Sequence, residues 1–401
     1  MRGANLIKNK IIVHDVFNTD YGAYRLLRTR VQKIDSDPNF ENWIVCPAGE
    51  YSQKMKKMGI KIINTHIDDK SINPITDRSS ITELTNIFKE LKPDVVHTHT
   101  SKGGYIGRIA AKRANIPHVI HQVHGFHFTQ LSGIKRKIYA YAEKWLAKYA
   151  DVLLFQNMNE FELAKSMHFD KRTKLLYVGN GIPMEEFKNT EVKTAPQKGE
   201  KLRIVCVARL EPVKNHKMLF EATRILKREK LNFEVLLVGD GHLKNEYVKI
   251  CEDFGIKDRM KFIGNVDRKE IKDILTSSHV SVLTSFKEGK PRSLMESQTV
   301  GLPVVATDVI GTNEIILNGK TGFLVKLGDT KTFAEKIVLL YEKKYLWKEM
   351  SQNAKENAMR NFDENVVVER LKRLYFSLAE GHLDEFLNES KEGKIWFEGV
   401  K

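Results

Sequence analysis

The first half of the chain alternates short runs of β-branched and aromatic residues with amphipathic stretches. The runs that predict strands are Ile11–Phe17, Trp43–Cys46, Ile60–Ile63, Val95–His99, His118–His124, Val152–Phe155 and Leu175–Val178. Apolar residues at helical spacing lie between them, as in Ile81–Leu91 and Ile106–Ala114. Strands that alternate with helices form a parallel sheet covered on both faces, so this half predicts one α/β domain over residues 1–190.

A polar segment interrupts this rhythm, which then restarts. Residues 191–201 read EVKTAPQKGEK, a composition with little to bury that predicts a linker. Beyond it the predicted strands are Leu202–Val207, Phe233–Val238, Lys261–Ile263, Val280–Leu283, Val304–Ala306 and Phe323–Val325. We therefore expect a second α/β domain over residues 202–362, with the tail, residues 363–401, packing back toward the first. Two such doubly wound, Rossmann-like domains would face each other across a cleft, and ligands bind beyond the carboxyl ends of their strands.

The composition fits a globular protein with an anionic partner. Of the 401 residues, 41% are hydrophobic and 29% are charged, which excludes a disordered chain and a disulfide scaffold. The net charge of +15 suits nucleic acid, an anionic membrane surface or a phosphorylated small molecule. The cations are spread along the chain and no nucleic-acid-binding module is recognised, so the sequence does not favour nucleic acid.

Cysteine usage and hydropathy predict a cytoplasmic protein. Cys46, Cys206 and Cys251 lie far apart, in or beside apolar stretches, as buried free thiols do. No run of the sequence approaches the ~18 apolar residues of a membrane span.

One basic amphipathic stretch nevertheless suggests contact with the inner face of the plasma membrane. In residues 133–150, Ile134, Ile138, Tyr141, Trp145 and Tyr149 recur at helical spacing among lysines and an arginine. We expect this apolar stripe to pack on the sheet, while the basic residues are either solvated or face an anionic lipid surface. The basic residues of the stretch 24–34, which are Arg25, Arg28, Arg30 and Lys33, would add to that cationic face.

Two cations follow the first predicted strand of the second half. Arg209 and Lys214 flank a turn that leads into a helix beginning near Asn215. Cations beside the free N–H groups of a helix start suit a diphosphate, and ordinary surface charge is the alternative. Gly239, after the next strand, either allows a ligand to approach the backbone or makes a tight turn. After the third strand, the backbone near Val266 can pair with the edge of a base.

An unusual loop follows the fourth strand of the second half. Before a predicted helix it carries Glu288, Gly289, Lys290, Pro291 and Arg292. A loop carboxylate such as Glu288 can accept hydrogen bonds from sugar hydroxyls. Glu296, on the helix, can hold both hydroxyls of a ribose, and solvated surface charge is its alternative. Arg292 lies near a helix start, where the dipole disfavours a cation, so we expect an anion nearby.

Together these segments resemble a known enzyme family. ARLEPVKNH, VGDG, FIGNV, EGKPRSLMES, GLPVVATDVIGTNEII and NGKTGFLV occur in the order and spacing of the retaining family 4 glycosyltransferases of the GT-B fold. Glu288 and Glu296 match the Glu-x7-Glu signature of that family. The resemblance implies that Arg209 and Lys214 hold the donor diphosphate, Glu296 the ribose and Glu288 the donor sugar. It also implies that the base lies near Val266 and that Thr312 lies near the transferred sugar and phosphates.

The first half is similar to the bacterial capsule and exopolysaccharide branch of the same family. The similarity rests on DVVHTHTSKGG, which begins at Asp94, and on HQVHGF, which begins at His121. It implies that His124 points at the donor sugar and that Gly22, Lys102 and Gly103 lie on the acceptor side. The family commonly has a Gly-Gly loop after the first strand, whereas this chain has NTDYGA, in which Gly22 is the one glycine.

The crowding of histidines between His97 and His127 raises the question of a metal site. His97 and His99 share a strand face, but no Cys or carboxylate joins them at metal-ligand spacing in the sequence. We expect core or hydrogen-bonding histidines, apart from His124. Because GT-B transferases generally need no metal, we also expect no metal and no cofactor.

The sequence therefore predicts a retaining glycosyltransferase that moves a sugar from a nucleotide-sugar, by analogy a UDP-sugar, to an acceptor hydroxyl. The expected acceptor is a saccharide or a polyprenyl-diphosphate-linked sugar in surface polysaccharide synthesis, and the catalytic roles fall on Glu288, His124, Arg209 and Lys214. Arg209, Lys214 and a helix N-terminus would stabilise the departing diphosphate. The alternatives are a GT-B sugar-nucleotide epimerase, a nucleic-acid- or membrane-binding protein, and a pseudoenzyme that only binds the donor.

Overall fold

The structure is a computed structural model that describes residues 10–67, 73–187, 190, 194–197 and 199–389. The strands are β1 Ile11–Val16, β2 Phe40–Pro47, β3 Lys61–Thr65, β4 Val95–His99, β5 His118–Val123, β6 Val152–Phe155, β7 Lys174–Tyr177, β8 Leu202–Val207, β9 Phe233–Val238, β10 Met260–Gly264, β11 Val280–Leu283, β12 Val304–Thr307 and β13 Gly322–Val325. Each strand predicted from the hydrophobic pattern is present. The main difference is β2, which begins at Phe40 because its polar residues Glu41 and Asn42 interrupt the apolar run without ending the pairing with β1.

The helices fill the gaps between these strands. They are α1 Asp20–Leu26, α2 Arg28–Asp35, α3 Glu50–Lys57, α4 Pro74–Leu91, α5 Ser101–Arg113, α6 Gly133–Ala147, α7 Met158–Ser166, α8 His216–Arg228, α9 Lys244–Asp253, α10 Arg268–Thr276, α11 Arg292–Thr299, α12 Thr330–Glu342, α13 Lys344–Asn361, α14 Glu364–Ala379 and α15 Leu383–Glu389. Several begin at a side-chain cap, as α7 does, where Asn157 accepts a hydrogen bond from the Glu160 N–H.

The first sheet is parallel throughout, with the strand order β3-β2-β1-β4-β5-β6-β7. Strand β6 is wholly apolar and buried, because a strand covered on both faces has no solvent side. The central strands β1, β4 and β5 are also mostly buried but carry polar residues toward their carboxyl ends. The order reverses between the neighbours β1 and β4. At such a switch point the connections leave in opposite directions and open a crevice at the carboxyl ends of the two strands.

The second sheet repeats this plan with the parallel order β10-β9-β8-β11-β12-β13. Its order reverses between β8 and β11, so the segments after these two strands flank the second switch point. The predicted doubly wound, Rossmann-like folds are thus confirmed in both halves.

The chain forms two compact units. One contains the described residues up to Gly179 together with those from Glu364 onward, and the other runs from Asn180 to Asp363. Helix α14 belongs to the first unit, where Leu371, Leu374 and Tyr375 are part of the hydrophobic core.

The division at Gly179 precedes the polar segment 191–201 that the sequence analysis interpreted as the linker. The described part of that segment packs on the second unit. Ala195 is buried in its core, and the Gly199 N–H donates to the Tyr341 hydroxyl at 3.3 Å. A polar composition did not reveal these contacts because one small apolar residue and the backbone make them.

The three cysteines are buried, as the sequence predicted. Cys46, Cys206 and Cys251 are buried free thiols, and burial raises the pKa of each to about 12. Among the described helices, none is both long enough and apolar enough to cross a membrane.

Candidate active site

Two loops meet at the switch point of the second sheet. After β8 the chain passes Arg209 and a short 3-10 turn, Pro212–Lys214, before α8 begins at His216. After β11 it passes Ser285 and Glu288 before α11 begins at Arg292. The helix starts inferred from the sequence, near Asn215 and at Arg292 or Ser293, are confirmed, and the second of them is at Arg292.

Lys214 and Glu288 form a partly buried ion pair between these loops. Lys214 Nζ lies 2.6 Å from Glu288 Oε1, with 18% and 9% of the two side chains exposed. The Ser285 hydroxyl donates to the same carboxylate oxygen at 2.5 Å. The carboxylate of Glu288 is therefore held in place by two donors, a charged one and a neutral one.

Backbone acceptors fix the two loops to each other. The Thr284 hydroxyl lies 3.2 Å from the Lys214 carbonyl oxygen and 3.0 Å from that of Asn215. The Phe286 N–H donates to the Val213 carbonyl at 2.9 Å. Because Thr284 and Phe286 bracket Ser285, the turn that carries Lys214 and the loop that carries Glu288 form one framework.

A third loop, which follows β12, closes against the Glu288 loop. The Glu288 N–H donates to the Ile310 carbonyl at 3.1 Å. Gly311 has φ +89, and a Cβ built there would lie 2.5 Å from the Gly289 carbonyl oxygen, so only glycine fits. The hydroxyl of the buried Thr312 donates to the Thr307 carbonyl at 2.6 Å. Thr312 thus shapes this loop through its hydroxyl.

Arg209 and Gly239 lie at the carboxyl ends of β8 and β9. The Arg209 side chain is 61% exposed and pairs with Glu211. Gly239 has φ +131 and donates its N–H to the Gly264 carbonyl at 2.8 Å. A Cβ on Gly239 would lie 2.3 Å from the Ala208 carbonyl oxygen, so the close packing of these two segments requires glycine.

The remaining predicted donor residues lie on the same side of the sheet. Val266 follows β10 and is partly buried against the core of the second unit. Glu296 lies in the first turns of α11 and is 6% exposed, which makes it a buried carboxylate rather than solvated surface charge. Helix α11 begins at Arg292. Pro291 occupies the N-cap position before it, and the proline side chain makes no capping hydrogen bond. Gly289 and Lys290 are half-buried in the preceding loop.

A histidine cluster occupies the switch point of the first sheet. His99 Nε2 lies 2.7 Å from Asp15 Oδ1, and His99 Nδ1 lies 3.0 Å from His124 Nε2. His97 Nδ1 lies 2.8 Å from the Tyr375 hydroxyl. Burial lowers the pKa of His97, His99 and His124 well below the usual range, so all three rings are neutral at pH 7. Burial raises the pKa of Asp15, while the positive charge of Arg30 opposes that shift.

The cluster also corrects an observation from the sequence. Asp15, His97 and His99 have ligand atoms within 4.8 Å of one another, so a carboxylate does join the two histidines. The pairing of β1 with β4 brings it there. However, ligands of a tetrahedral Zn²⁺ lie about 3.3 Å apart, whereas His99 Nε2 lies 2.7 Å from Asp15 Oδ1, a hydrogen-bond distance. The geometry is that of a hydrogen-bonded network.

The predicted acceptor-side residues lie around the same edge of the first sheet. Gly22 is in α1, where a Cβ would lie 2.4 Å from Phe17 Cε1. Gly103, in the first turn of α5, accommodates the loop after β1, because a Cβ there would lie 3.3 Å from the Asn18 nitrogen. Lys102 is 8% exposed and lies 3.2 Å from Asp77, so it forms a buried ion pair.

The expectation that the apolar stripe of residues 133–150 packs on the sheet is wrong. Ile134, Ile138 and Tyr141 of α6 are 74%, 60% and 71% exposed, whereas its buried residues are Ala140, Leu146 and Ala147. The small alanines let the helix lie close to its neighbours, which leaves the larger side chains in solvent.

In the second basic stretch, residues 24–34, Arg25 is exposed, whereas other members of the predicted cationic face are buried. The stretch is divided between α1 and α2, and Arg28 and Arg30 are buried. Arg30 donates to Gln122 Oε1 at 2.9 Å. Lys33 pairs with Asn365 and Glu364 at 2.7 and 3.7 Å. These cations serve internal contacts of the first unit.

Ser285 and Thr284 belong to the site of the second unit, and Asp15 belongs to the cluster of the first, although the sequence singled out none of the three as functional. His99 was considered from the sequence as a metal ligand and not as a hydrogen-bond partner of His124. The signal for Asp15 was an acidic residue within an apolar strand, which must be buried with a partner. Ser285 and Thr284 gave no distinct signal, because hydroxyl residues after a strand are typical of any loop.

Comparisons with known proteins agree with this architecture. The family described as "Glycosyl transferases group 1" matches residues 187–359, and "Glycosyl transferase 4-like" matches residues 35–157. An Escherichia coli UDP-Gal:alpha-D-GlcNAc-diphosphoundecaprenol alpha-1,3-galactosyltransferase is 32% identical over 77% of this chain and 82% of its own. A Campylobacter jejuni N,N'-diacetylbacillosaminyl-diphospho-undecaprenol alpha-1,3-N-acetylgalactosaminyltransferase is 28% identical over 87% of this chain and 94% of its own.

A solved structure shows the same fold. Anabaena HepE in complex with UDP and glucose superposes with a TM-score of 0.75, at 19% identity, over 92% of this chain and 100% of its own. The two doubly wound units are thus those of a GT-B glycosyltransferase. The chain belongs to the group 1 glycosyltransferases, with a glycosyltransferase 4-like N-terminal part.

Proposed function

We propose that this glycosyltransferase moves a sugar from a UDP-sugar to a hydroxyl of a lipid-linked saccharide during surface polysaccharide synthesis. The observation that carries the proposal is the Lys214–Glu288 pair at the switch point of the second sheet, 2.6 Å apart and framed by three loops. Open α/β sheets bind nucleotides at this position.

In this proposal each donor residue has a distinct role. Arg209 and Lys214 hold the diphosphate and stabilise its charge as the sugar departs. Glu288 accepts hydrogen bonds from the sugar hydroxyls, and Glu296, a buried carboxylate on α11, holds the ribose. The free N–H groups at the start of α11 and the cation Arg292 add positive potential beside it. In the first unit, His124 contacts a substrate.

We also propose that transfer retains the configuration at the anomeric carbon and needs no metal. Glu288 is bound by Lys214 Nζ and the Ser285 hydroxyl, which makes its carboxylate a poor nucleophile for a double displacement. The leaving phosphate would then take the acceptor proton on the same face. The names of the two relatives specify an alpha linkage in the product. When the donor sugar is also alpha-linked, forming such a product retains the anomeric configuration. Lys214 and Arg209 supply the charge that a metal provides elsewhere.

The acceptor proposal rests on the relatives and on α6. Both relatives are named for undecaprenol-linked diphosphate acceptors. Such an acceptor lies at a membrane, and α6 exposes Ile134, Ile138 and Tyr141 beside Lys135, Arg136 and Lys137. An exposed apolar face with flanking cations complements an anionic lipid surface. We therefore propose that α6 holds the protein at the inner face of the plasma membrane.

The test is calorimetric binding of UDP, GDP and ADP to the wild type and to the Arg209→Ala/Lys214→Ala variant. We expect UDP to bind in preference to the other two, and the double variant to lose that binding. Its transfer rate should fall by about two to three orders of magnitude, the effect of losing a preorganised charge-stabilising group.

Lys217→Ala provides the matched control. Lys217 lies in the first turn of α8 and pairs with Glu246 at 2.9 Å, with 58% of its side chain exposed. This variant should bind UDP as the wild type does. If the wild type binds none of the three nucleotides, the donor site is wrongly assigned.

A further inference from the structure

A hydrogen-bonded chain connects the interior of the first unit to His124. Asp15 lies on the buried strand β1, His99 ends β4, and His124 follows β5. Asp15 and His99 are 1% and 0% exposed, and His124 is half-buried. The distances are 2.7 Å from Asp15 Oδ1 to His99 Nε2 and 3.0 Å from His99 Nδ1 to His124 Nε2. Both ring nitrogens of His99 are therefore occupied.

Burial raises the pKa of Asp15, and the buried cation Arg30 opposes that shift. Arg30 is 3% exposed, and a guanidinium stays protonated in proteins. A buried cation requires a counter-charge, and the positive charge of Arg30 favours the ionised form of Asp15. We therefore take Asp15 as a carboxylate, which accepts hydrogen bonds and donates none.

An ionised Asp15 fixes every proton in the chain. His99 must donate to Asp15 from Nε2. A neutral imidazole carries one N–H, so His99 Nδ1 is an acceptor. His124 must then donate to it from Nε2, and its own Nδ1 keeps a lone pair. The Gln156 side chain is a further hydrogen-bond partner of the His124 ring. Fixing a ring nitrogen through the hydrogen bond of the other is a recognised use of histidine partners.

We propose that Asp15 and His99 are positioning residues that hold His124 in the Nε2–H tautomer, so that its Nδ1 accepts a hydrogen bond from a substrate hydroxyl. The last step rests on the proposed function, because it needs a substrate at His124. The tautomer itself does not, and it can be measured in the protein alone.

The first experiment measures the tautomer of His124 in the wild-type protein. Two-bond ¹H–¹⁵N correlation spectra of protein labelled with ¹⁵N-histidine distinguish a protonated from an unprotonated ring nitrogen. The His124→Gln variant identifies the His124 signals by their loss. We expect Nε2 to be the protonated nitrogen at pH 7.5. A protonated Nδ1 in the wild type would overturn the proposal, whatever the activity of any variant.

The second experiment changes the end of the chain. In Asp15→Asn the side-chain amide can donate to His99 Nε2, which reverses the direction of both following bonds and leaves His124 protonated at Nδ1. We expect the two His124 nitrogens to exchange their signatures. We also expect kcat to fall about 10- to 100-fold, as for a buried hydrogen bond left without its partner, with UDP affinity unchanged. A wild-type His124 spectrum in folded Asp15→Asn protein would overturn the proposal.

Tyr375→Phe is the matched control. It removes a buried hydroxyl from His97, whose Nδ1 lies 2.8 Å from that hydroxyl and 3.5 Å from Asp15 Oδ1, and it removes neither hydrogen bond of His99. It should keep the wild-type His124 tautomer and kcat. If UDP binding fails while the tautomers behave as expected, the donor assignment fails and the positioning role of Asp15 and His99 remains.

Discussion

The Lys214–Glu288 pair shows how single residues make a site from two loops that are distant in the sequence. Each side chain is partly desolvated, and each offsets the charge of the other while the Ser285 hydroxyl occupies a further lone pair of the carboxylate. Removing one partner of such a pair leaves an uncompensated charge, so the two should not be varied interchangeably.

Glu288→Gln should separate sugar recognition from nucleotide binding. The amide keeps the size of the side chain and part of its hydrogen bonding, but it loses the charge that pairs with Lys214. If Glu288 binds the sugar, transfer should fall about 100-fold or more. The affinity for UDP alone should not fall, because Lys214 keeps its charge and loses a competing carboxylate. Steady-state kinetics and calorimetry with UDP measure the two effects. An unaltered transfer rate would remove Glu288 from the sugar site.

Gly311→Ala should damage the contact between two of the loops. Gly311 has φ +89, and its Cβ would lie 2.5 Å from the Gly289 carbonyl oxygen. The control is Gly319→Ala, which has φ +78 but nothing within 4 Å of its Cβ. The control should lose about 1 kcal/mol of stability from backbone strain, and Gly311→Ala should lose more and bind UDP less tightly. If urea denaturation shows that the two variants lose the same stability, the loop has shifted to relieve the contact between the Cβ added at position 311 and the Gly289 carbonyl oxygen.

At the scale of elements, helix α6 shows what a hydrophobic pattern can and cannot predict. Its period of apolar residues correctly indicates a helix, but the side that packs is the one with alanines. The larger apolar residues are left exposed, and Lys148 lies 4.4 Å from the ring centroid of Trp145. This face carries the two properties of an interfacial helix, an apolar surface and cations at its margin.

The membrane proposal predicts flotation of the protein with anionic liposomes at low salt. Ile138→Ser/Tyr141→Ser should reduce flotation strongly, because both side chains are more than half exposed. The control is Tyr345→Ser in the second unit, which removes a side chain that is 70% exposed on α13. Absence of wild-type flotation, or equal flotation of the α6 double variant, would contradict the role of α6.

At the scale of the molecule, both units contain histidines that are held neutral by burial. Burial lowers the pKa of His14 in the first unit and of His216 in the second to about 4. The unfolded chain protonates such a residue near pH 6.5, whereas the folded protein does so near pH 4. Their contribution to stability is therefore complete above pH 6.5 and is lost as the pH falls toward 4. In the first unit the raised pKa of Asp15 opposes this loss.

The free energy of unfolding should consequently fall on acidification. For the second unit we expect His216 to account for about 1 kcal/mol of the loss between pH 7.5 and pH 5.5. His216→Phe keeps a ring against Tyr247, which lies at a centroid distance of 5.2 Å, and removes the titration. Urea denaturation at the two pH values should show a smaller pH effect in this variant. An equal loss of stability on acidification in the wild type and the variant would show that His216 does not contribute to the acid sensitivity of the protein.

The sequence by itself determined most of the fold. The strands of both sheets follow from runs rich in apolar residues, since a parallel sheet covered on both faces buries its strands along their whole length. The residues that we propose for the donor site, Arg209, Lys214, Glu288 and Glu296, were also chosen from the sequence, because each follows a predicted strand at the carboxyl edge or lies in the helix after it. Such patterns are local, because they depend only on residues that are close together in the sequence.

Only the tertiary structure decided which of these residues meet. The distance between Lys214 and Glu288 depends on the pairing of β8 with β11, and the chain from Asp15 to His124 depends on the pairing of β1 with β4 and of β4 with β5. The exposed face of α6 and the burial of Arg30 could likewise not be predicted from the sequence. The periodicity of a helix indicates that one face is buried, but it does not identify that face. Contacts between distant residues depend on strand order and packing, and neither is a property of any single segment.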